Sequence, residues 1–151
     1  MKSRRAQLLE FAVLGLLREG PTHGYDLRRR LNTALGPFRA LSYGTLYPAL
    51  RDLLDHGLIA ETTDPAGPTG RRPRVVYELT AAGKEHFSAL VARTDASAYD
   101  DDGFDVRFAF FARTERDVRL RILEGRRSRV EEDLERVRDA VTRSRERLDA
   151  Y

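Results

Sequence analysis

Ser42, Tyr43, Gly44, Thr45 and Tyr47 form a run of small and hydroxyl-bearing residues at the start of an apolar repeat. Ser42 is of the N-cap type, whose hydroxyl accepts from the backbone amide two or three positions on. The residues that follow it then stand at the positive end of a helix dipole, where phosphate is favoured, and Gly44 permits close backbone approach. The chemistry on offer is the holding of an anion rather than the breaking of a bond. Two residues strain a helical reading. Pro48 removes a backbone donor and crowds the preceding turn, and Gly44 lowers helix propensity. A partner that approaches the backbone closely accounts for both. An ordinary core helix with a kinked first turn accounts for them equally well.

A second set of groups is basic. Gly70, Arg71, Arg72 and Arg74 follow the Gly- and Pro-rich segment TDPAGPTGRRP at 63–73. Arginines at a hairpin tip can clasp phosphates or enter a minor groove. Tyr25 is either a packing residue or a hydroxyl donor to a polyanion, and Arg39 lies in the connection before the Ser42 run. Lys2, Arg4 and Arg5 form a basic arm, or simply a solvated terminus. Arg28, Arg29 and Arg30 spread around a helix and read mainly as a solvated face.

The other candidates lead nowhere catalytic. His23, His56 and His86 have no accompanying nucleophile–base–orienter pattern, metal pair or glycine-rich phosphate loop, so an enzyme is not expected. Asp100, Asp101 and Asp102 lack the alternating ligands and later Glu of a calcium loop, and read as linker or helix-cap acids. With zero cysteines, disulfides and cysteine-ligated zinc are excluded. No metal and no cofactor is expected.

The elements that must position these groups follow from apolar spacing. Residues 4–18 predict a first helix, with Leu8, Leu9, Ala12, Val13, Leu16 and Leu17 as its buried stripe, ended by Gly20-Pro21. Thr22 is expected to cap a second helix from His23 to about Leu35. Leu46, Leu50, Leu53 and Leu54 give a third helix its inner face, with Gly57 as a left-handed C′ residue. A strand from Leu58 to about Thr62, a tip over 63–73 and a return strand over 74–79 make a hairpin. Thr80 caps a fourth helix from Ala81 to about Arg93, with Phe87, Leu90 and Val91 inward. The order helix, helix, helix, hairpin, helix is that of a winged helix-turn-helix, so the fold class expected is mainly α, α+β.

Residues 94–103 read as an acidic linker. Residues 104–112 form a short helix whose Phe104, Phe108, Phe110 and Phe111 need a large apolar partner. Thr114 is expected to cap a long helix towards Tyr151. Leu120, Leu123, Val130, Leu134, Val137, Val141 and Leu148 recur there at three–four spacing, interrupted by Arg127 and Ser144. The alternatives are a helix folded onto its own domain and a dimerisation helix. Its length favours the second, because it overhangs a domain of ~90 residues. The domains expected are 1–93, winged; 94–103, linker; and 104–151, helical dimerisation region.

Composition agrees with this reading. The chain is 41% hydrophobic and 34% charged. No apolar run approaches the ~18 residues of a membrane span. FAVLGLL at 11–17 lacks the flanks of a signal peptide, so a cytoplasmic protein is expected. Net charge is +3, divided as +5 over residues 1–93 and −2 over 94–151. The first part is therefore the one suited to a polyanion. Of the 27 basic residues, 25 are Arg, the better fork for phosphate and guanine, although a coding bias gives the same count.

The segments HGYDL at 23–27, LSYGTLYPALRDLLDHGLI at 41–59 and GRRPRVVYELTAAGKEHF at 70–87 resemble the PadR family of bacterial transcriptional regulators. FFARTERDVRLRILEGRRSRVEEDLERV at 110–137 resembles it more weakly. The resemblance implies a homodimer whose winged domains bind double-stranded DNA at an inverted-repeat operator, usually to repress, with the C-terminal helices making the dimer. Carried over by motif, Ser42, Tyr43, Gly44, Thr45 and Tyr47 would face DNA, Tyr25 would touch its backbone, and Arg71, Arg72 and Arg74 would act from the wing. Members of the family often sense small aromatic or amphipathic molecules near the dimer interface. Phe104, Phe108, Phe110 and Phe111 would either line such a site or form dimer core. The competing reading is a winged protein-interaction module without DNA specificity, which the basic wing disfavours.

Overall fold

The computed structural model describes residues 2–36, 43–64 and 73–150, without the side chain of Tyr43. Helix α1 (Arg4–Leu17) is the centre of the fold. Ser3 caps it, its hydroxyl accepting from Ala6 N at 3.2 Å. Every residue from Phe11 to Leu17 is buried, as expected of a helix that is apolar all round. Around it pack α2 (Gly24–Leu35), α3 (Tyr43–Asp55) and α4 (Ala81–Val91). Leu27 and Leu31 on α2 are fully buried, and of the stripe read for α3 Leu46, Leu50 and Leu53 are each at most 1% exposed while Leu54 is half-buried.

Helix α3 continues through Pro48. Its end is set by Gly57, whose φ of 67° is the left-handed conformation open to glycine. There Leu58 N donates to Leu53 O and Gly57 N to Leu54 O, both at 3.0 Å, the paired bonds of a Schellman stop. The chain then enters β2 (Ile59–Asp64), which begins one residue later and ends two residues later than expected and pairs antiparallel with β3 (Arg74–Leu79) from Ile59↔Leu79 to Asp64↔Arg74. The tip between the strands, with Gly70, Arg71 and Arg72, lies outside the described residues, as do Arg39 and Ser42.

Thr22 departs from expectation. It does not cap α2. It forms, with His23, the two-residue strand β1 (Thr22–His23), paired Thr22↔Tyr77 and His23↔Val76, which makes the sheet order β1-β3-β2. Sheet pairing claims its backbone, and its hydroxyl donates to Gly20 O at 3.1 Å. Thr80 does cap α4: its hydroxyl accepts from Gly83 N at 3.0 Å and donates to Gly57 O at 2.6 Å.

The stretch 94–103, expected as a linker, is folded. A 3-10 helix spans Ala96–Ala98, and α5 (Asp101–Ala109) starts three residues earlier than read. Asp100 caps α5 by accepting from Gly103 N at 2.6 Å, and Asp101 and Asp102 lie in its first turn, where the dipole favours acids. Arg4 binds Asp100 at 2.9 Å and donates to Ser97 O, so α1 holds this segment down. The three aspartates are thus helix-cap acids.

The phenylalanines divide into two groups. Phe110, 5% exposed, belongs to the protein's own core, with ring centroids 5.5 Å from Phe11 and 6.4 Å from Phe87. Gly15 makes room for it, since a Cβ there would lie 2.4 Å from the ring. Phe104, Phe108 and Phe111 form a separate cluster with centroids 5.2–6.2 Å apart, and Phe108 is 59% exposed.

After a 3-10 turn at Phe111–Arg113 comes α6 (Arg116–Asp149), 34 residues long. Thr114 does not cap it. Its hydroxyl is turned inward and donates to Phe110 O at 2.9 Å, and the N-cap position falls to Glu115, without a side-chain bond. Of α6, Ile122 alone is fully buried among the described residues.

Candidate nucleic-acid interface

Helices α2 and α3 with the strands β1 and β3 surround a concavity of about 430 Å³. It is lined by His23, Gly24, Tyr25 and Asp26 from β1 and the start of α2, Tyr47 from α3, and Arg74, Val75 and Tyr77 from β3. Each is placed by an element with its own reason to be there. Leu46 and Leu50 bury one face of α3, which leaves Tyr47 outward and 47% exposed. Leu27 and Leu31 do the same for α2, leaving Tyr25 65% exposed at its first turn. Alternation along β3 buries Tyr77 and Leu79 and turns Val76 and Glu78 to the other side.

Three residues chosen from the sequence, Tyr25, Tyr47 and Arg74, therefore meet at one concavity. Gly44 and Thr45 lie on the first turn of α3, Gly44 exposed and Thr45 half-buried. Tyr43 begins that helix. Ser42, Arg71 and Arg72 are not among the described residues.

Burial, Glu61 and Tyr47 push the Tyr77 hydroxyl above its ordinary pKa, so the concavity floor is a neutral phenol at neutral pH. Gly24 packs against this floor: a Cβ on it would make ordinary contact, 3.4 Å from the Tyr77 ring and 3.7 Å from the Tyr47 hydroxyl oxygen. His23 and Gly24 were not read from the sequence as part of this surface. The available signal was their place in HGYDL, directly before Tyr25.

The basic arm does not reach the surface as a unit. Lys2 bridges Glu10 at 2.5 Å and Asp52 at 2.6 Å, and its amine holds the Asp52 carboxyl below the usual range. Arg4 is committed to Asp100, and Arg5 is exposed. In the charge run of α2, Arg30 pairs with Glu19 and Arg29 lies 3.6 Å from Asp26. His56 Nδ1 lies 2.7 Å from Asp52 O, and His86 Nε2 lies 3.3 Å from Glu10, both away from the concavity. Among the described residues no group of three His, Asp or Glu could hold a metal ion. No helix of the described residues is long and apolar enough to cross a membrane.

A three-helix body with a hairpin wing beside its third helix defines a winged helix-turn-helix protein. Residues 13–89, just over half of the chain, match the Transcriptional regulator PadR-like family, and the chain belongs to that family of regulators, which are not enzymes. The Negative transcriptional regulator PadR of Bacillus subtilis (strain 168) is 35% identical over 87 residues, 58% of this chain and 47% of that protein. The chain thus spans about half the length of the curated relative it matches. Among solved structures, Bacillus subtilis PadR in complex with operator DNA is similar over 87% of this chain and 73% of its own, at 25% identity and a TM-score of 0.54. A PadR-like transcription factor from Bacteroides fragilis is 29% identical over 57% of this chain and 79% of its own, with a TM-score of 0.50.

Proposed function

We propose that this regulator binds double-stranded DNA as a homodimer, reads an inverted-repeat operator and represses transcription from it. The observation that carries the reading is the convergence of Tyr25, Tyr47 and Arg74 on one concavity beside the exposed start of α3. The solved relative with operator DNA and the relative named a negative regulator support duplex DNA as the ligand and repression as the outcome. In this reading Ser42, Tyr43, Gly44, Thr45 and Tyr47 present the N-terminal face of α3 to the major groove, Tyr25 bonds the backbone, and Arg71, Arg72 and Arg74 act from the wing. Residues 1–93 form the DNA-binding unit. Residues 104–151 form the dimerisation region, joined to it through the folded stretch 94–103.

A second copy covers the seam of Leu120, Leu123, Val130, Leu134, Val137 and Val141, each at least 41% exposed. The cluster of Phe104, Phe108 and Phe111 is where a small aromatic or amphipathic effector would enter. Phe110, filled in by Phe11 and Phe87, takes no part.

The test is a mobility shift with duplexes selected from a random pool, at several salt concentrations. Binding should prefer the selected sequence over scrambled DNA and weaken steeply with salt, by a log–log slope of about −0.9 for each phosphate neutralised. Tyr47→Ala and Arg74→Ala should each weaken binding by roughly tenfold, as loss of one contact worth 1–3 kcal/mol implies, while the melting temperature and dimer stay intact. Absence of any preference over scrambled DNA would sink the reading and favour an interaction module. A reporter fused to a selected operator separates repression from activation. A thermal-shift screen of aromatic metabolites, followed by DNA binding, decides the effector.

A further inference from the structure

A second cavity, of about 220 Å³, lies between α1, α4, the Ala96–Ala98 turn and α5, and shares no lining residue with the concavity above. Arg107 is its anchor. The side chain is 8% exposed and reaches from α5 to α1 and α4, its Cζ 4.2 Å over the Phe11 ring and its Nη1 donating to Leu90 O. The carboxylates nearby are spent on other cations. Glu10, the one acid lining the cavity, bridges Lys2 at 2.5 Å with one oxygen and lies 3.3 Å from His86 Nε2 with the other. Asp95 pairs with Arg93 and Asp100 with Arg4, each at 2.9 Å. Arg107 is left as a buried cation without an anion of its own among the described residues. Burial and then Arg93 work against its charge, yet a guanidinium cannot shed its proton at neutral pH. Its remaining nitrogens are not sealed in. His23 Nδ1 is the one fully buried side-chain nitrogen or oxygen without a partner among the described residues, so the unpaired part of the Arg107 fork touches open space.

We propose that this cavity binds a small monocarboxylate with a short apolar tail, held through its carboxylate by Arg107. The charge decides the class of ligand. One uncompensated cation matches one negative charge, and a more highly charged anion would meet the Glu10 carboxylate without a further free cation. The planar fork of N–H donors on a guanidinium matches the two oxygens of a carboxylate. The rest of the wall supplies the site for the tail, since Leu8, Phe11 and Leu90 line it beside the charged groups. A ligand so held touches α1, α4 and α5 together and fastens α5 to the winged body. The site lies apart from the cluster of Phe104, Phe108 and Phe111, goes beyond DNA binding and does not depend on it.

The experiment titrates the whole chain with sodium hexanoate, sodium butanoate and neutral hexanamide by isothermal calorimetry. Hexanoate should bind one per chain, with a Kd of about 1 mM or tighter. Butanoate should bind more weakly by about fourfold for each buried methylene removed. Hexanamide has the same tail without the charge and should bind at least about tenfold more weakly. Bound hexanoate should raise the melting temperature, because it binds the folded chain alone. In methyl NMR spectra the Leu8 and Leu90 signals should shift during the titration, and those of Leu134 and Leu148 on α6 should stay in place.

Arg107→Met keeps an apolar body over Phe11 and removes a buried charge, so its melting temperature should not fall, while its affinity for hexanoate should be lost. Should that variant fail to fold, the hexanamide comparison and the Leu8 and Leu90 signals still decide on the wild-type chain. No saturable binding of hexanoate up to about 10 mM, tenfold above the expected Kd, would overturn the proposal. So would equal affinity for hexanamide, methyl shifts that leave Leu8 and Leu90 untouched, or a folded Arg107→Met that binds hexanoate as the wild type does.

Discussion

Asp95 carries more bonds than its exposed position suggests. Its carboxylate accepts from the Ser97 hydroxyl, from Ser97 N at 2.9 Å and from Arg93 Nε at 2.9 Å. Those bonds, the Ser97 hydroxyl first, hold its pKa at about 2 against an ordinary 3.8. A folded-state value below the unfolded one means that the stabilisation is present above the unfolded pKa and is lost as pH falls from about 4 to about 2. Asp95→Asn should therefore lose stability at neutral pH and show a flatter acid limb, visible as urea midpoints measured between pH 2 and pH 6. The effect is small, because the carboxylate is half-exposed and screened by water. Arg107 is the opposite case. It is 8% exposed, lies 4.2 Å over the Phe11 ring and donates to Leu90 O near the end of α4. Burial, then the charge of Arg93, pushes it down to about 10, still charged at neutral pH. Neither role could be read from the sequence, where Asp95 is one acid of a polar stretch and Arg107 interrupts a run of phenylalanines. Burying a guanidinium requires α4 and α5 to meet, which is a tertiary fact. Tyr25, Tyr47 and Arg74 were legible because amphipathic spacing leaves them outward on elements whose inner faces are plain.

Elements whose signals are local were the readable ones. Ser3 was not singled out, yet Thr80, Gly57 and the alternation of Arg74–Leu79 each mark a boundary by their own chemistry, and β3 spans the residues read for it. The misreadings have non-local causes. Thr22 resembles a cap until β3 pairs with it, and the acidic stretch looks like a linker until Arg4 and α6 fold it down. The attachment of α6 depends on that stretch. Tyr99 lies against Gly125, where a Cβ would stand 2.5 Å from the ring, and Arg126 binds Asp101 at 2.6 Å and stacks 5.3 Å over Phe104. A mid-helix glycine costs about 1 kcal/mol relative to alanine, so here close approach of a ring offsets a poor helix former. Gly125→Ala should displace Tyr99 and loosen the joint, by roughly 1–3 kcal/mol of overpacking set against that gain in propensity. In a Tyr99→Ala background the same substitution should be stabilising by about 1 kcal/mol. Thermal melts of the four proteins in this cycle give the coupling, and additive effects would show that Tyr99 does not hold α6 at Gly125.

The molecule as a whole has one element out of proportion to the rest. At about 1.5 Å per residue, α6 is roughly 50 Å long, while its one fully buried residue among those described is Ile122. From Arg127 onward it meets solvent on all sides, with ion pairs such as Arg127–Glu131 at 2.9 Å and Arg138–Glu135 at 3.0 Å running along its own surface. Such pairs contribute a few tenths of a kcal/mol each and do not hold an isolated helix of this length rigid. Leu134 and Val137 sit in the middle of the apolar seam at 46% and 60% exposure. A second copy that buried them would gain roughly 1.5–3 kcal/mol per side chain, more than the intrahelical charges supply. The paired substitution Leu134→Glu/Val137→Glu should then give a monomer in sedimentation equilibrium, with loss of helical signal from the outer half of α6 and an unchanged winged body. DNA affinity should fall by roughly 10²–10⁴, because two half-site contacts cease to be linked, while the contact made by each winged domain remains. A double variant that stays dimeric would place the subunit interface elsewhere. One that becomes monomeric yet keeps wild-type affinity would mean that a single winged domain suffices, and that the inverted repeat is not what this protein reads.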